Sequence, residues 1–452
     1  MPNLINVIQD TSELTRRGFV TNYPHFRHWR KEAGEEGLSP KPLNVYVHLP
    51  YCLQRCAYCH FKTTTLRKTQ LAEIDRYVDA LCREIEIATD RFHLRERRTI
   101  SLYFGGGTPT LLSAENIDRI MATLHRTLTL ADPEINFEAE PVSLTRRKAE
   151  ILKRHGVNRI NVGIQSFCDA VVFATGRRDT EKQALEAIDI ALSTGAVVNI
   201  DLISGLLGET PETWAYSVRR ALETRVPSIT VYKLEVYANT DYYAELRRQK
   251  VSLPSDDEEL AFAQHAIEEL TRAGYQPVNF FTFTKNGGYV QRHITSKWQG
   301  VDVYAFGSSA FGTLGNWAYQ NTTDLSRYAE LVETGELPIF RGYVYNDLEL
   351  MTRDVILGMK LVRFDRRAFR VRHGIDVVRL CEAAVRRLEE EGFLAIDDDA
   401  IVVTKKGILY GDYVGRILAT SLETLANSQS TALLHDPTRL GPAPLTVATA
   451  GS

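Results

Sequence analysis

The sequence predicts an α/β protein: a partial (β/α)6 TIM-like barrel with a C-terminal α+β, winged-helix-like domain. Three observations carry this prediction. Strand and helix signals alternate six times between residues 43 and 285. Chemically unusual residues stand where these strands end, and the pattern changes after about residue 285. Strands that alternate with helices pair in parallel, and such sheets carry their chemistry at the carboxyl ends of the strands.

The composition is typical of a globular, cytoplasmic protein. Of the 452 residues, 44% are hydrophobic and 25% are charged, and the net charge is −3. A chain of this charge has no general affinity for nucleic acid or for a membrane surface. The apolar runs are shorter than the roughly 20 residues of a membrane-spanning helix. The first residues lack the apolar core of a signal peptide.

The predicted barrel spans residues 41–285, after an N-terminal arm at 1–40. Its strands are NVYVHLP, TISLYFGGG, EINFEAEP, RINVGIQSF, VVNIDLISGL and SITVYKLEV. Helical segments follow them, for example AEIDRYVDALCREIEIATDRF, with apolar residues at helical spacing, and TRRKAEILKRHG, which Gly156 ends. Because the strands are rich in β-branched and apolar residues, we expect both faces of the sheet to be apolar.

The remainder of the chain has a different character. Residues 286–426 begin with a segment rich in glycine and aromatic residues and continue with helices and a hairpin. We interpret them as a C-terminal substrate or lid domain and not as a DNA reader, because no basic face accompanies the helices. Residues 427–452 are polar and rich in Pro, Gly and Ala, so we expect a disordered tail.

Three cysteines follow the first strand in the spacing C-x3-C-x2-C: Cys52, Cys56 and Cys59. Three thiolates are one ligand short of a closed zinc site and of a fully ligated cubane cluster. An iron–sulfur cluster with one open iron is therefore favoured. Two alternatives remain: zinc, for which His60 is a badly placed fourth ligand, and a redox pair, which leaves Cys52 unexplained. Cys82 and Cys381 lie at helical spacing and are expected to be buried core thiols.

A second candidate element is GGGTPT at 105–110, between a strand and a helix. Glycines at such a turn let a ligand approach the backbone, and N–H groups at a helix start favour an anion. Glu138, Gln165 and Asp201 stand at the ends of later strands. All these groups are therefore expected to meet at one mouth of the barrel.

The motif YVHLPYCLQRCAYCHF resembles the signature of the radical S-adenosylmethionine (SAM) superfamily, in the form found in the oxygen-independent coproporphyrinogen III oxidase family. The resemblance continues through YFGGGTPTLL, INFEAEP, RINVGIQSF, NIDLISGL and VTKKGILY, over residues 40 to 420. It implies that Cys52, Cys56 and Cys59 bind a catalytic [4Fe–4S] cluster. The open iron would hold SAM, and one electron would cleave SAM to a 5′-deoxyadenosyl radical.

The resemblance also implies the SAM contacts. Gly106, Gly107 and Thr108 match the loop that binds the SAM amino group, and Tyr58 matches a residue that shields the cluster. Further matches are to SAM-contacting positions: Gln165, Arg177 and Asp201 for the first molecule, and Tyr46 and Glu138 for a second SAM beside it.

The chain departs from the family pattern at positions that bear on which substrate it binds. The heme-pathway enzymes place a fourth cysteine two residues after the third, where this chain has Phe61. Glu235 replaces an alanine contact, and residues 279–286 do not match the corresponding run. We therefore expect the radical machinery to be retained and the substrate to differ.

These features lead first to a class C methyltransferase or cyclopropanase, in which a second SAM donates a methyl or methylene group to an sp2 carbon of a natural-product intermediate. The alternatives are an oxygen-independent coproporphyrinogen III dehydrogenase and a heme chaperone. Expected partners are a small-molecule substrate and an electron donor such as flavodoxin or ferredoxin, with no nucleic acid and no membrane.

Overall fold

The computed structural model describes residues 19–30, 41–66 and 71–427. Only part of the predicted arm lies within these ranges, and the predicted tail lies outside them apart from residue 427. The strands are β1 Leu43–Leu49, β2 Tyr51–Cys52, β3 Thr64–Thr65, β4 Arg98–Gly106, β5 Thr129–Ala139, β6 Arg159–Gln165, β7 Val197–Ser204, β8 Ser228–Lys233, β9 Tyr275–Pro277, β10 Thr282–Lys285, β11 Asp302–Phe306, β12 Phe311–Leu314, β13 Trp317–Asn321, β14 Ile339–Val344, β15 Arg363–Asp365, β16 Leu394–Ile396 and β17 Ala400–Val403.

The helices alternate with the strands as the sequence predicts. They are α1 Leu71–Arg91, α2 Ala114–Thr127, α3 Arg146–Arg154, α4 Asp169–Ala174, α5 Glu181–Leu192, α6 Pro211–Glu223, α7 Asp241–Arg247, α8 Asp256–Arg272, α9 Arg292–Trp298, α10 Leu325–Glu333, α11 Asp347–Gly358, α12 Arg366–His373, α13 Val377–Leu380, α14 Glu382–Glu390, α15 Lys405–Leu409 and α16 Tyr413–Asn427. Side-chain caps define many of their starts. For example, the hydroxyl of Ser113 accepts from the N–H of Asn116 at the start of α2.

A large, mostly parallel sheet is the centre of the fold. Its strand order is β14-β13-β12-β11-β1-β4-β5-β6-β7-β8-β10-β9. The strands β1, β4, β5, β6, β7 and β8 pair in parallel throughout. This arrangement confirms the predicted α/β class, because the six strand and helix signals correspond to the six parallel strands of a partial barrel.

The sheet extends further than the sequence suggested. The strand β11 pairs in parallel with β1, from Leu43 opposite Asp302 to Val47 opposite Phe306, and β12, β13 and β14 continue the sheet in antiparallel pairs. Contacts therefore place 26–345, with Phe19, in one unit, and 20–25 with 346–427 in a second. The boundary that we placed between 285 and 286 falls inside the larger unit, because β11 is bonded along the length of β1.

The two faces of the parallel strands differ, so our expectation of two apolar faces is wrong. One face is apolar and contributes to the core beneath the helices, as with Leu43, Val45 and Val47 of β1. The other face carries polar side chains in register across neighbouring strands. The hydroxyl of Ser101 donates to Asn44 Oδ1 at 2.6 Å, for example. The polar residues of this inner face are Asn44, Tyr46, His48, Ser101, Tyr103, Glu134, Asn136, Glu138, Arg159, Asn161, Asn199, Asp201, Ser228 and Thr230.

The smaller unit has its own apolar core. A three-stranded antiparallel sheet, with β17 between β15 and β16, packs with the surrounding helices. The pairing of β16 with β17 confirms the hairpin predicted from FLAIDDDAIVV. Within the described ranges, no helix has the length and apolar character needed to cross a membrane.

Candidate active site

The three cysteines lie on a loop that leaves the carboxyl end of β1. The loop is closed at its base, where β2 pairs in parallel with β3. The N–H of Thr64 donates to the carbonyl of Pro50 at 2.6 Å, and that of Leu66 donates to the carbonyl of Cys52 at 2.9 Å. Cys52, Cys56 and Cys59 are free thiols and are partly buried. A short closed loop of this kind holds three thiols on one side of the strand end.

Two neighbouring segments anchor the centre of the loop at Ala57. The N–H of Ala57 donates to the carbonyl of Thr175, which follows α4, at 2.8 Å. The carbonyl of Ala57 accepts from the N–H of Tyr242, in α7, at 3.0 Å. The loop is therefore positioned by backbone bonds to the segments that follow β6 and β8, in addition to its own strand.

The thiols suit a cluster better than a single ion. Burial raises the pKa of Cys52 to about 12 and that of Cys56 to about 11, so both are protonated until a metal displaces the proton. No group of three ligands in the described part of the chain could hold one metal ion. An iron–sulfur cubane does not need three ligands around one metal ion, because each cysteine binds a different iron of the cluster. The ring of His60 packs against that of Tyr237, with 4.0 Å between the centroids and 32° between the ring planes, and among the described residues it forms no three-ligand metal group with the thiols.

The glycine segment at the end of β4 contacts the cysteine loop directly. The N–H of Gly107 donates to the carbonyl of Leu49 and that of Thr108 to the carbonyl of Tyr51, both at 2.7 Å. A Cβ on Gly107 would lie 2.5 Å from the Tyr51 oxygen. A Cβ on Gly106, whose φ is +112°, would lie 2.5 Å from the ring of His48. Protein packing thus already requires these glycines, in addition to any need to admit a ligand.

Thr108 and Arg177 join the strand ends around the cysteines. The Thr108 hydroxyl is 3.8 Å from Cys52 Sγ and 3.4 Å from a carboxylate oxygen of Glu140. The guanidinium of Arg177 pairs with Glu140 at 3.4 Å and with Asp179 at 2.9 Å, and it donates to the carbonyl of Gly163 at 2.8 Å. These contacts connect the ends of β4, β5 and β6 to one another.

Tyr58 and Gln165 lie next to this network. Burial and the neighbouring Cys56 raise the pKa of Tyr58, while Arg177 opposes the shift, so the three side chains are adjacent. Gln165 ends β6 with a φ of +69°. Its side-chain oxygen is buried and accepts no hydrogen bond from the described residues. That oxygen is available to a ligand at the mouth.

A second group lies deeper, on the polar inner face. The hydroxyl of Tyr103 donates to a Glu138 oxygen at 2.6 Å, and the ring of Tyr46 lies 6.0 Å from that of Tyr103. Burial, together with the nearby Asp201, raises the pKa of Glu138 to about 7. Burial also raises the pKa of Asp201 to about 6. A cation bound beside these two carboxyls would favour their ionised forms.

The predicted residues thus form two groups, one at the mouth and one inside the barrel. The mouth group contains the cysteines, Tyr58, Gly106, Gly107, Thr108, Gln165 and Arg177, and the inner group contains Tyr46, Glu138 and Asp201. Sequence reasoning missed His48, Tyr103, Glu140 and Asp179. His48 and Glu140 stand two residues after Tyr46 and Glu138, so the period of a strand could have indicated them.

Comparison with known proteins identifies the family. The radical SAM superfamily profile matches residues 46–221, and the HemN C-terminal domain profile matches residues 345–410. The heme chaperone HemW of Mycobacterium tuberculosis is 30% identical over 391 residues, which cover 84% of this chain and 97% of the relative. The chain belongs to the HemN/HemW family of radical SAM proteins.

Other HemN/HemW proteins agree in sequence and in fold. The oxygen-independent coproporphyrinogen III oxidase of Salmonella typhimurium is 29% identical, over 82% of this chain and 83% of the relative. The structure of the Escherichia coli coproporphyrinogen III oxidase HemN, described as a radical SAM enzyme, is similar with a TM-score of 0.75 at 26% identity, over 90% of this chain and 97% of that one.

Family membership settles the cofactors and changes the preferred function. Radical SAM proteins use a [4Fe–4S] cluster and SAM, and the three free thiols beside the glycine segment suit such a cluster. The relatives are named as a heme chaperone and an oxidase, so the assignment to the class C methyltransferases and to natural-product biosynthesis is not supported. The alternative that we held second, heme-related chemistry, agrees better with these relatives.

Proposed function

We propose that this chain is a HemW-type radical SAM protein, which binds a heme-type tetrapyrrole and cleaves SAM at the cysteine loop. The observation that carries the proposal is Phe61. The chain spans 97% of the HemW relative but has a phenylalanine where the heme-pathway oxidases have their fourth cysteine. The Phe61 side chain is 56% exposed at the edge of the cysteine loop, and an exposed aromatic ring can pack on the face of a flat macrocycle.

The mouth group would hold the cluster and the first SAM. Cys52, Cys56 and Cys59 would hold the cluster, which together with SAM would supply a 5′-deoxyadenosyl radical when an electron is delivered. Thr108 would keep its hydroxyl beside Cys52, at the 3.8 Å observed. Tyr58 would exclude water beside Cys56, and Gln165 and Arg177 would position the polar end of SAM from the end of β6.

The inner group would take a second SAM. Glu138 and Asp201 are carboxyls whose ionised forms are disfavoured by burial, and the sulfonium or ammonium of SAM would favour those forms. Tyr46 and Tyr103 would provide flat surfaces beside the carboxyls, because their rings already lie 6.0 Å apart.

A second candidate function follows from the same inner group. With two SAM molecules in one barrel, a methyl or methylene group could pass from one of them to an sp2 carbon of the substrate. Phe61, in the place of a fourth cysteine, counts against coproporphyrinogen decarboxylation, but the relatives reported above are named as a heme chaperone and an oxidase, so methyl transfer ranks below the HemW-type function. The products separate the candidates: methyl transfer releases S-adenosylhomocysteine, and decarboxylation releases carbon dioxide.

The test uses the full chain with its cluster reconstituted under anaerobic conditions. With SAM and dithionite we expect 5′-deoxyadenosine, detected by liquid chromatography, and none from a variant with all three cysteines replaced by alanine. Titration with heme should give a saturable Soret band. Coproporphyrinogen III that is recovered unchanged after incubation with the chain would support the HemW-type function.

Three results would contradict the proposal. Deoxyadenosine from the triple cysteine variant would exclude the assigned cluster site. Carbon dioxide from coproporphyrinogen III would establish the oxidase instead. If the chain bound no heme, and S-adenosylhomocysteine were released from SAM in the presence of a tested substrate, the methyl-transfer function would be established instead.

A further inference from the structure

The polar inner face of the barrel contains a buried cation, Arg159. It begins β6 and is 1% exposed. Its Nε and Nη1 are buried and have no hydrogen-bond partner among the described residues. Arg177, which is buried as well, pairs with Asp179 at 2.9 Å. Because a buried charge is costly without an opposite charge or hydrogen bonds, Arg159 is suited to receive an anionic group of a ligand.

Asn136 lies opposite Arg159 on the neighbouring strand. The two residues are partners in the parallel register of β5 with β6, and Asn136 is fully buried. Neither Oδ1 nor Nδ2 of Asn136 has a hydrogen-bond partner within the described ranges. Asn161, two residues after Arg159 on the same face, also has a buried Oδ1 without a partner in these ranges. A guanidinium and an amide N–H at neighbouring positions are donors that suit the oxygens of a carboxylate.

The carboxyls near Arg159 are engaged by other donors. Arg159 opposes the rise that burial causes in the pKa of Asp201, so these two groups are close to each other. The Asp201 carboxylate accepts from the side-chain amide of Asn199 at 2.7 Å. The ring of Tyr289 lies 5.3 Å from the guanidinium carbon of Arg159, and the Tyr289 hydroxyl donates to Glu134. Nε and Nη1 of Arg159 therefore remain as donors for a ligand.

We propose that Arg159 and Asn136 form a carboxylate subsite inside the barrel, which binds the carboxylate of a ligand held by the inner group. The guanidinium would donate charge-assisted hydrogen bonds, which are about twice as strong as neutral ones, and the Asn136 amide would donate one more. The inference rests on the ligands of the proposed function. Two of them carry a carboxylate: the second SAM, at its amino-acid end, and a heme-type tetrapyrrole, on its propionate side chains.

The charges around the subsite match a ligand that carries a cationic centre as well as a carboxylate. Glu138 and Asp201, the carboxyls of the inner group, share the inner face with Arg159, and an ammonium or sulfonium would favour their ionised forms. The guanidinium would bind the carboxylate of the same ligand. The amino-acid end of SAM has both groups, whereas a propionate side chain has only the carboxylate. The second SAM is therefore the favoured occupant.

The experiment measures binding by the anaerobic, cluster-loaded chain without a reductant, in calorimetric titrations with SAM and, separately, with heme and heme dimethyl ester. The variants are Arg159→Gln and Asn136→Asp, of which the second places a carboxylate opposite the guanidinium. We expect both variants to weaken the second SAM-binding step by at least about tenfold and to leave the first step unchanged. Asn136→Asp should also raise the thermal midpoint of the ligand-free chain, because its carboxylate supplies the opposite charge.

The two ligands give different results. Weaker binding of the second SAM with unchanged heme binding assigns the carboxylate to SAM. Weaker binding of heme, with the dimethyl ester bound alike by wild-type chain and variants, assigns the carboxylate to the tetrapyrrole. If Arg159→Gln does not fold, Asn136→Asp decides by the same titrations. The matched control is Arg154→Gln, since the Arg154 side chain on α3 is 62% exposed, and it should leave every titration unchanged.

Unchanged binding of SAM and heme by the variants would overturn the inference, as would an equal loss of heme and of its dimethyl ester without a change in the second SAM step. A wild-type chain that binds two SAM molecules but no heme would contradict the HemW-type function, and the SAM titrations would still decide the subsite. A wild-type chain that binds one SAM and no heme would overturn both, because no ligand would remain to fill the subsite.

Discussion

At the scale of single residues, Gly107 shows how closely the end of β4 fits the cysteine loop. We predict that Gly107→Ala lowers the iron content of the reconstituted protein, because the new Cβ would lie 2.5 Å from the Tyr51 carbonyl. The loop would have to move away from the strand and lose the bond from Gly107 N–H to the Leu49 carbonyl. Overpacking of this kind costs about 1–3 kcal/mol. Iron analysis and the charge-transfer absorption of the cluster measure the effect.

The control for this prediction is Gly288→Ala. A Cβ there would lie 3.3 Å from the carbonyl of Lys285, so a small adjustment accommodates it. This variant should retain the full iron content. If Gly107→Ala also binds a complete cluster, the contact between the glycine segment and the loop does not position the cysteines.

The residues of the site could be predicted from sequence only in part. Cysteine spacing indicated the cluster, because three thiols within eight residues at one strand end are typical of metal-cluster ligands. Asp179 could not be found in this way. Its role depends on Arg177 folding back to Gly163 and Glu140, and an Arg-x-Asp sequence on a loop carries no period or spacing that indicates such a contact.

At the scale of elements, α1 is fixed to the end of β11 by a buried carboxyl. Glu84 accepts hydrogen bonds from the N–H of Gly307 and from the side chain of Asn321, both at 2.8 Å, and from the hydroxyl of Tyr328. Burial nevertheless raises the pKa of Glu84 from 4.5 to about 7. The FGSSA sequence at residues 306–310 thus forms a structural anchor for α1.

We predict that Glu84 makes the free energy of unfolding fall as the pH rises. Because its pKa is raised in the folded state, the folded chain holds this proton more tightly than the unfolded chain. The contribution is complete below pH about 4.5 and is lost as the pH rises through about 7. The pKa shift corresponds to on the order of 3 kcal/mol. Urea unfolding of the metal-free chain between these pH values measures it.

Glu84→Gln should flatten this pH dependence, since glutamine does not titrate. Glu86→Gln is the matched control, because Glu86 is on the same helix with a half-exposed side chain. It should leave the pH dependence unchanged. Identical pH profiles for wild-type chain and Glu84→Gln would show that the carboxyl does not carry the effect.

The sequence predicts an element well where buried apolar residues recur at regular spacing. It predicts an element poorly where the polar inner face or a distant pairing determines its place. The alternation of strands and helices was visible because apolar residues on the outer face recur regularly, as in Val45 and Val47 of β1. The strand β11 was not assigned to the barrel. Its sequence DVYAF is short, and its place beside β1 depends on a pairing across more than 250 residues that no local signal contains.

At the scale of the whole molecule, each of the two units has an apolar core of its own. The smaller unit also contains a buried ion pair between Lys360, 1% exposed, and Asp412, 5% exposed. The other oxygen of Asp412 accepts from the N–H of Val20 at 2.7 Å. Removing one partner of such a pair leaves an uncompensated buried charge.

We predict that Lys360→Met destabilises the smaller unit by about 3–5 kcal/mol. Differential scanning calorimetry should show one transition moved to lower temperature, while the iron content and SAM cleavage of the folded variant stay unchanged. Arg386→Met is the control, because the Arg386 side chain is 68% exposed and forms its ion pair, with Glu382, on the surface of the same unit. Loss of the cluster in Lys360→Met would show that the two cores do not unfold independently.

The polar inner face of the barrel has a consequence for how this architecture can change over evolutionary time. The apolar side chains that stabilise the barrel lie on its outer face, under the helices, whereas the inner positions contribute little to that core. Substitutions on the polar inner face should therefore alter ligand preference with a small loss in the free energy of unfolding. New substrate specificities would then be accessible by single steps, with the cysteine loop and the outer core left intact.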